Sequence, residues 1–258
     1  MKHSLENKSQ EYYIDGIQTW NLSETIAAIS AILALYLLTV LKILPQYMKT
    51  REPYKFKDFL LFYNAFQVAS SIYIVFMYAR YLIINGLFPS ECTDKEAMEL
   101  IIKDIYPYFI AKHIDLLDTV FFVLRKKDSQ ITFLHLYHHS AMVAWTWLHL
   151  MHHPTDQFVF VGLLNSFVHV LMYAYYGISS LGPEYAKYVW WKKHLTKVQL
   201  MQFVLVVTNL YYQHKLSPCP IPLYFHYFCL TCIISFFFLF MKFYFNSYKT
   251  RTTIKKTQ

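Results

Sequence analysis

Residues Ile131 to Leu150 read ITFLHLYHHSAMVAWTWLHL, an apolar run interrupted near its start by His135, His138 and His139. A bilayer core about 30 Å thick takes roughly 20 helical residues, so this run has the length of a membrane span. On a helix the i, i+3, i+4 spacing puts the three imidazoles on one stripe. Ionisable groups inside a span are costly to desolvate and mark a site or a pathway. Imidazole can act there as base, nucleophile or metal ligand. A lone histidine is ordinarily a satisfied core residue; three on one face of an apolar helix point to chemistry.

The rest of the chain fits lipid as its solvent. Of 258 residues, 56% are hydrophobic and 19% aromatic, more than a soluble domain needs to fill one core. Further apolar runs lie at Thr25 to Leu44, Phe59 to Ile83 and Tyr106 to Leu124, and then at Phe158 to Ser180, Val198 to Tyr212 and Leu223 to Phe245. With Ile131 to Leu150 they predict an all-α bundle of seven spans (25–245), preceded by an N-terminal segment (1–24) and followed by a basic tail (246–258). The third run is polar and the sixth short, which leaves six spans as the alternative count.

The net charge of +8 is concentrated between the runs, which argues for basic cytosolic loops and against nucleic acid as the partner. Lys49, Arg51, Lys55 and Lys57 fall on one side of a seven-span arrangement with Arg125, Lys126 and Lys127, with Lys187, Lys192, Lys193 and Lys197, and with the tail. The acidic and Pro-rich loops fall on the other. The N-terminus is thereby luminal and the C-terminus cytosolic. Met1 to Trp20 is polar and mixed in charge, unlike a cleaved signal peptide. Asn7-Lys8-Ser9 is a luminal glycosylation acceptor, and Lys255-Lys256 before the last two residues reads as a dilysine retrieval signal for the endoplasmic reticulum. Cys92 and Cys219 both fall on the oxidising luminal side, which permits a disulfide between them.

Three more polar stripes interrupt neighbouring runs. Lys112, Asp115, Asp118 and Thr119 place three charged groups within about 120° of a helix; a Lys-Asp pair that only holds helices together is the plainer reading. Asn165, His169, Met172, Tyr173 and Tyr176 form a second stripe, with Tyr175 alongside, for which an aromatic packing seam explains the tyrosines better than His169. Thr196, Gln199 and Gln202 form a third, able to bind a carbonyl or amide.

In order, Lys112-x-x-Asp115-x-x-Asp118-Thr119, His135-x-x-His138-His139, Asn165-x-x-x-His169-x-x-Met172-Tyr173-x-Tyr175-Tyr176 and Thr196-x-x-Gln199-x-x-Gln202 resemble the motifs of the very-long-chain fatty acid elongases, the membrane 3-oxoacyl-CoA synthases. Asp115 departs from the pattern, since that family usually carries Glu there. The resemblance implies a bundle enclosing an acyl tunnel, and condensation of a long-chain acyl-CoA with malonyl-CoA to 3-oxoacyl-CoA, carbon dioxide and CoA. It implies no metal or other cofactor. The reductases and dehydratase of the elongation cycle are the implied partners in the endoplasmic reticulum membrane. No cysteine lies in a motif, so His138 is the implied acyl acceptor, with His135 and His139 tuning it and His169 facing the same cavity. Asn165, Gln199, Gln202 and Lys112 are the implied stabilisers of oxyanion and enolate, with Asp115 and Asp118 holding Lys112 or a histidine tautomer. Tyr173 and Tyr176 are implied substrate contacts. Arg125, Lys126, Lys192 and Lys193 are implied to meet the CoA phosphates.

Two rivals are weighed against this. A di-iron desaturase or hydroxylase also uses H-x-x-H-H strings, and a second one stands at His149-x-x-His152-His153. Its start lies fourteen residues after that of the first, about 21 Å along a continuous helix, too far to share a metal pair. A seven-span receptor or transporter has no need of the histidine cluster or of retrieval to the endoplasmic reticulum.

Overall fold

The computed structural model describes residues 22–88, 95–219 and 221–249, except for the side chains of 95–99, 186, 248 and 249. Asn7, Cys92, Lys255 and Lys256 lie outside the described residues. What is described is helical, with short connections and no strand. Helix α1 is Leu22–Met48, α2 Lys57–Asn85, α3 Lys95–Ile114, α4 Leu117–Leu124, α5 Phe133–His152, α6 Val159–Ser180, α7 Lys192–Leu216 and α8 Leu223–Tyr244.

Leu22–Met48, Lys57–Asn85, Asp156–Ser180 and Leu223–Ser247 are long and apolar enough to cross a membrane, as in a multi-pass membrane protein. Helices α3, α4, α5 and α7 are not among these; they carry the polar stripes, which they turn inward. Lys112, Asp115 and Asp118 are 3%, 2% and 6% exposed, whereas Phe62, Phe76 and Ile83 of α2 are 70%, 66% and 83% exposed. Polar groups inside and large apolar groups outside is the arrangement that lipid selects.

Local chemistry explains where the helices bend. Pro45 lacks an N–H and crowds the preceding turn, and α1 widens at Thr39–Ile43 just before it. Gly86, at φ 79°, ends α2 in a conformation that a side chain would strain. The run read as one helix from Tyr106 to Leu124 instead begins at Lys95 and tightens between α3 and α4. There Leu116 N donates to His113 O and Asp118 N to Asp115 O. Bonds of i→i+3 type bring residues three apart into line, so this turn aligns Asp115 and Asp118 more closely than a regular helix would. The sixth run, read as Val198 to Tyr212, extends to Lys192–Leu216.

Helices α2 and α6 pack side by side. Their contact is set by Gly162, where an added Cβ would collide with the Tyr78 ring. The largest apolar cluster, including Tyr78, Tyr108, Trp145, Val206, Phe225 and Cys229, joins α2, α3, α5, α6, α7 and α8.

Candidate active site

Thr132 caps α5: its hydroxyl accepts the His135 N–H at 3.2 Å, satisfying one of the free amides of the first turn. His135 is thereby fixed in that turn, with His138 and His139 one turn deeper. The His135 and His139 rings lie 4.3 Å apart, and His138 and His139 5.8 Å apart at 90°. His135 is held further by Thr119, whose hydroxyl lies 2.8 Å from Nε2 and 2.6 Å from the hydroxyl of Tyr36 on α1. His138 stands against Phe236 and Phe240 of α8, and its buried Nδ1 has no hydrogen-bond partner among the described residues.

His169 enters from α6. Lys112 Nζ approaches its ring nitrogens at 3.3 and 3.4 Å and donates to Asp115 Oδ2 at 2.9 Å. Asp115 Oδ1 accepts from Gln67 Nε2 at 2.7 Å. The Tyr173 hydroxyl lies 2.9 Å from Asp115 Oδ1 and 2.8 Å from Asp118 Oδ2, while Tyr63 donates to Asp118 Oδ1 at 2.8 Å. Asn165 accepts from the Tyr108 hydroxyl at 2.9 Å. The i, i+3 and i+4 spacings within α2, α3 and α6 bring these groups to one inward stripe.

A cavity of about 1480 Å³ joins these elements. His135, His138, His139, His169, Asp118, Asn165, Tyr176, Gln199 and Gln202 line it, as do Arg125, Lys192 and Lys193. Leu60, Phe121, Val168, Met172, Phe203 and Phe240 give it an apolar wall.

Other sequence-predicted residues lie behind the lining. Lys112, Asp115 and Tyr173 form the hydrogen-bonded layer under His169 and Asp118. Lys126 takes the left-handed conformation, φ 52°, that turns the chain out of α4, and its neighbour Lys127 is the lining cation instead. The second histidine string sits at the opposite end of α5. His149 meets Thr155 O, His152 the Thr25 hydroxyl and His153 the Tyr224 hydroxyl, so each ties its helix end to a neighbour. Of the two luminal cysteine candidates, Cys219 is disulfide-bonded, whereas Cys229 and Cys232 are free.

Tyr36, Tyr63, Asn64 and Gln67 were not singled out from the sequence. The signal was present in α2, where Tyr63, Asn64, Gln67 and Ser71 repeat at three and four residues inside an apolar run and are all buried.

The sequence matches the GNS1/SUR4 (ELO) family profile over residues 21–256, nearly the whole chain. The chain belongs to the ELO family. Among its relatives, human very long chain fatty acid elongase 4 is 36% identical over 241 residues, covering 90% of this chain and 75% of the relative. Rat elongase 7 is 36% identical over 253 residues, 93% and 88% of the two chains, and human elongase 1 is 36% identical over 241 residues, 90% and 85%. In this ELO chain Asp115 has three donors, Gln67, Tyr173 and Lys112, all within 2.9 Å.

Proposed function

We propose that this chain is a very-long-chain 3-oxoacyl-CoA synthase that joins a long-chain acyl-CoA to malonyl-CoA. The observation that carries the reading is the convergence of His135, His138, His139 and His169 on one apolar-walled cavity that also has cationic side chains in its lining. Fatty acid elongation by relatives at 36% identity over most of their length supports it.

A neutral nitrogen of His138 attacks the thioester carbonyl, the C–S bond breaks, and an acyl-imidazole forms as CoA leaves. His138 is the choice because it lines the cavity, as the resemblance implies, while Thr119 engages His135 and Lys112 engages His169. Malonyl-CoA then loses carbon dioxide, and the resulting enolate attacks the acyl carbonyl and displaces the imidazole. Decarboxylation creates this carbon nucleophile directly, so stabilising the oxyanion and the enolate matters more than a strong base. Asn165, Gln199 and Gln202 line the cavity and do that work, with Lys112 acting through His169. Arg125, Lys127, Lys192 and Lys193 hold the CoA phosphates. The acyl chain lies along the apolar wall. The reaction needs no resident metal or cofactor.

In this reading seven helical rods span the endoplasmic reticulum membrane with the N-terminus luminal and the histidine cluster toward the cytosol. The product passes to the reductases and dehydratase of the elongation cycle. Purified protein incubated with acyl-CoA alone gains the mass of the acyl group, and His138→Ala abolishes the gain. An adduct that persists in His138→Ala removes His138 as the acceptor. Failure of the wild-type protein to incorporate labelled malonyl-CoA across a panel of acyl-CoA lengths removes the activity.

A further inference from the structure

Asp115 and Asp118 are both buried and share one phenol. The Tyr173 oxygen is within hydrogen-bond distance of Asp115 Oδ1 and of Asp118 Oδ2. That phenol has a single proton, which bridges only one of the two gaps; the other gap needs a proton from a carboxyl group. The Tyr63 hydroxyl, the other donor to Asp118, spends its proton on Oδ1.

Counting charge gives the same answer. Lys112 is the one cation in contact with this pair among the described residues, and it binds Asp115 Oδ2. An ammonium has only protons to offer, so the His169 nitrogen it meets carries a lone pair and the ring is neutral. The remaining groups facing Asp118, Tyr36 from α1 and Tyr176 from α6, are phenols. His139 of α5 faces the Asp115 side and is itself buried. Two buried carboxylates beside one buried cation leave one negative charge uncompensated, and a single proton removes it. Gln67 and Lys112 both donate to Asp115, so the proton belongs on Asp118. Asp118, unlike Asp115, lines the cavity.

We propose that Asp118 is a neutral carboxylic acid at rest, donating to the Tyr173 oxygen while Tyr173 donates to Asp115, and that it supplies the proton consumed in each condensation. This rests on the acyl-imidazole reading above. When the acceptor imidazole is acylated, its N–H proton leaves with the CoA thiolate as thiol. When the malonyl-derived enolate later attacks the acyl carbonyl and the C–N bond breaks, the imidazole departs one proton short. Asp118 gives up its proton into the cavity, the imidazole regains its N–H, and a proton taken up from bulk solvent restores the carboxylic acid before the next turnover. Overall, acyl-CoA, malonyl-CoA and one proton become 3-oxoacyl-CoA, CoA and carbon dioxide.

Asp118→Asn keeps an N–H toward Tyr173 and an oxygen for Tyr63 but has no proton to release. We expect its condensation rate to fall roughly a hundredfold while acyl-enzyme accumulates from acyl-CoA. In the wild type that rate falls as pH rises through the titration of Asp118, and in the variant this alkaline limb flattens. Equal loss of acylation and condensation would mean a structural role only and overturns the proposal, as does wild-type turnover by the variant. Difference infrared spectra of the resting proteins at neutral pH give a readout free of activity. A carboxylic-acid carbonyl band must be present in wild type and absent in Asp118→Asn, and its absence from wild type also overturns the proposal. If wild type forms no acyl-enzyme, the acyl-imidazole reading fails and the infrared band still decides the state of Asp118.

Discussion

Gln67 of α2 donates from Nε2 to Asp115 Oδ1 of α3 at 2.7 Å, with both side chains buried. The amide also lies 3.3 Å from the Tyr63 hydroxyl, so one side chain supports both carboxylates, Asp115 directly and Asp118 through Tyr63. Gln67→Met keeps the length and removes the donor. Leaving a buried acceptor short of a partner costs about 1 to 3 kcal/mol. The variant is expected to lose that much stability in detergent, read as a lower Tm at fixed lipid and detergent. Gln67→Glu adds a third buried carboxylate and lowers the Tm further.

The Tyr36–Thr119–His135 chain crosses three helices to orient one imidazole. Thr119→Val is nearly isosteric and breaks both bonds. Each bond contributes about 0.5 to 1.5 kcal/mol, and if half of their sum is felt in the transition state the condensation rate falls by about twofold to tenfold. Tyr36→Phe leaves the Thr119–His135 bond in place and is expected to lose less. Equal rates for wild type and Thr119→Val would remove His135 orientation from the mechanism.

The histidine cluster was legible because α5 is a regular helix, so spacing alone fixes which rings share a face. The carboxylate layer was legible as a set of residues but not as a structure. Its geometry depends on a tight turn at Ile114–Leu117, whose i→i+3 bonds depart from the regular period, and on partners from α2, far away in sequence. Four rods announce themselves as membrane-spanning by hydropathy. Helices α3, α5 and α7 do not, because they carry the buried polar groups of the candidate site. Of Arg125-Lys126-Lys127, the first and third line the cavity, and nothing in the sequence marks the left-handed turn at Lys126 that separates them.

Lys192 and Lys193, both exposed at the start of α7, line the cavity with Arg125 and Lys127. Charges that hold CoA phosphates bind ground state and transition state alike. Lys192→Ala with Lys193→Ala is expected to raise KM for acyl-CoA about tenfold, near 1.4 kcal/mol, with kcat close to wild type. The KM of the wild type rises with salt over the range where the Debye length falls from about 10 Å to 3 Å, and the double variant responds less. A kcat loss without a KM change would place these lysines elsewhere in the cycle.

Cys219 is disulfide-bonded while Cys229 and Cys232 are free, and the chain has four cysteines. We propose Cys92 as the partner of Cys219, which closes the loop between α2 and α3 onto the start of α8. A lost native cross-link of this kind lowers stability by about 2 to 5 kcal/mol. Cys92→Ser is expected to remove the mobility difference between reduced and non-reduced gels and to lower the Tm. Unchanged mobility behaviour in Cys92→Ser would rule the pairing out.

Gly162 of α6 packs directly against the ring of Tyr78 of α2, which is the obstacle to any side chain there. Tyr78 is 2% exposed and lies in the apolar cluster with Tyr108 and Trp145, so it has little room to retreat. Gly162→Ala gains about 1 kcal/mol in helix propensity, but inserting a methyl group into a filled site costs about 1 to 3 kcal/mol. The collision wins, and a lower Tm is expected. The same displacement moves α6 relative to α2, carrying His169 and Tyr173 away from Lys112 and Gln67, so condensation falls as well. Tyr78→Leu makes space where the new methyl points. The double variant is therefore expected to be more stable than the sum of the two single changes allows, with a coupling of about 0.5 to 3 kcal/mol in a double-mutant cycle. Additive Tm losses would show that α2 and α6 do not rely on this close approach.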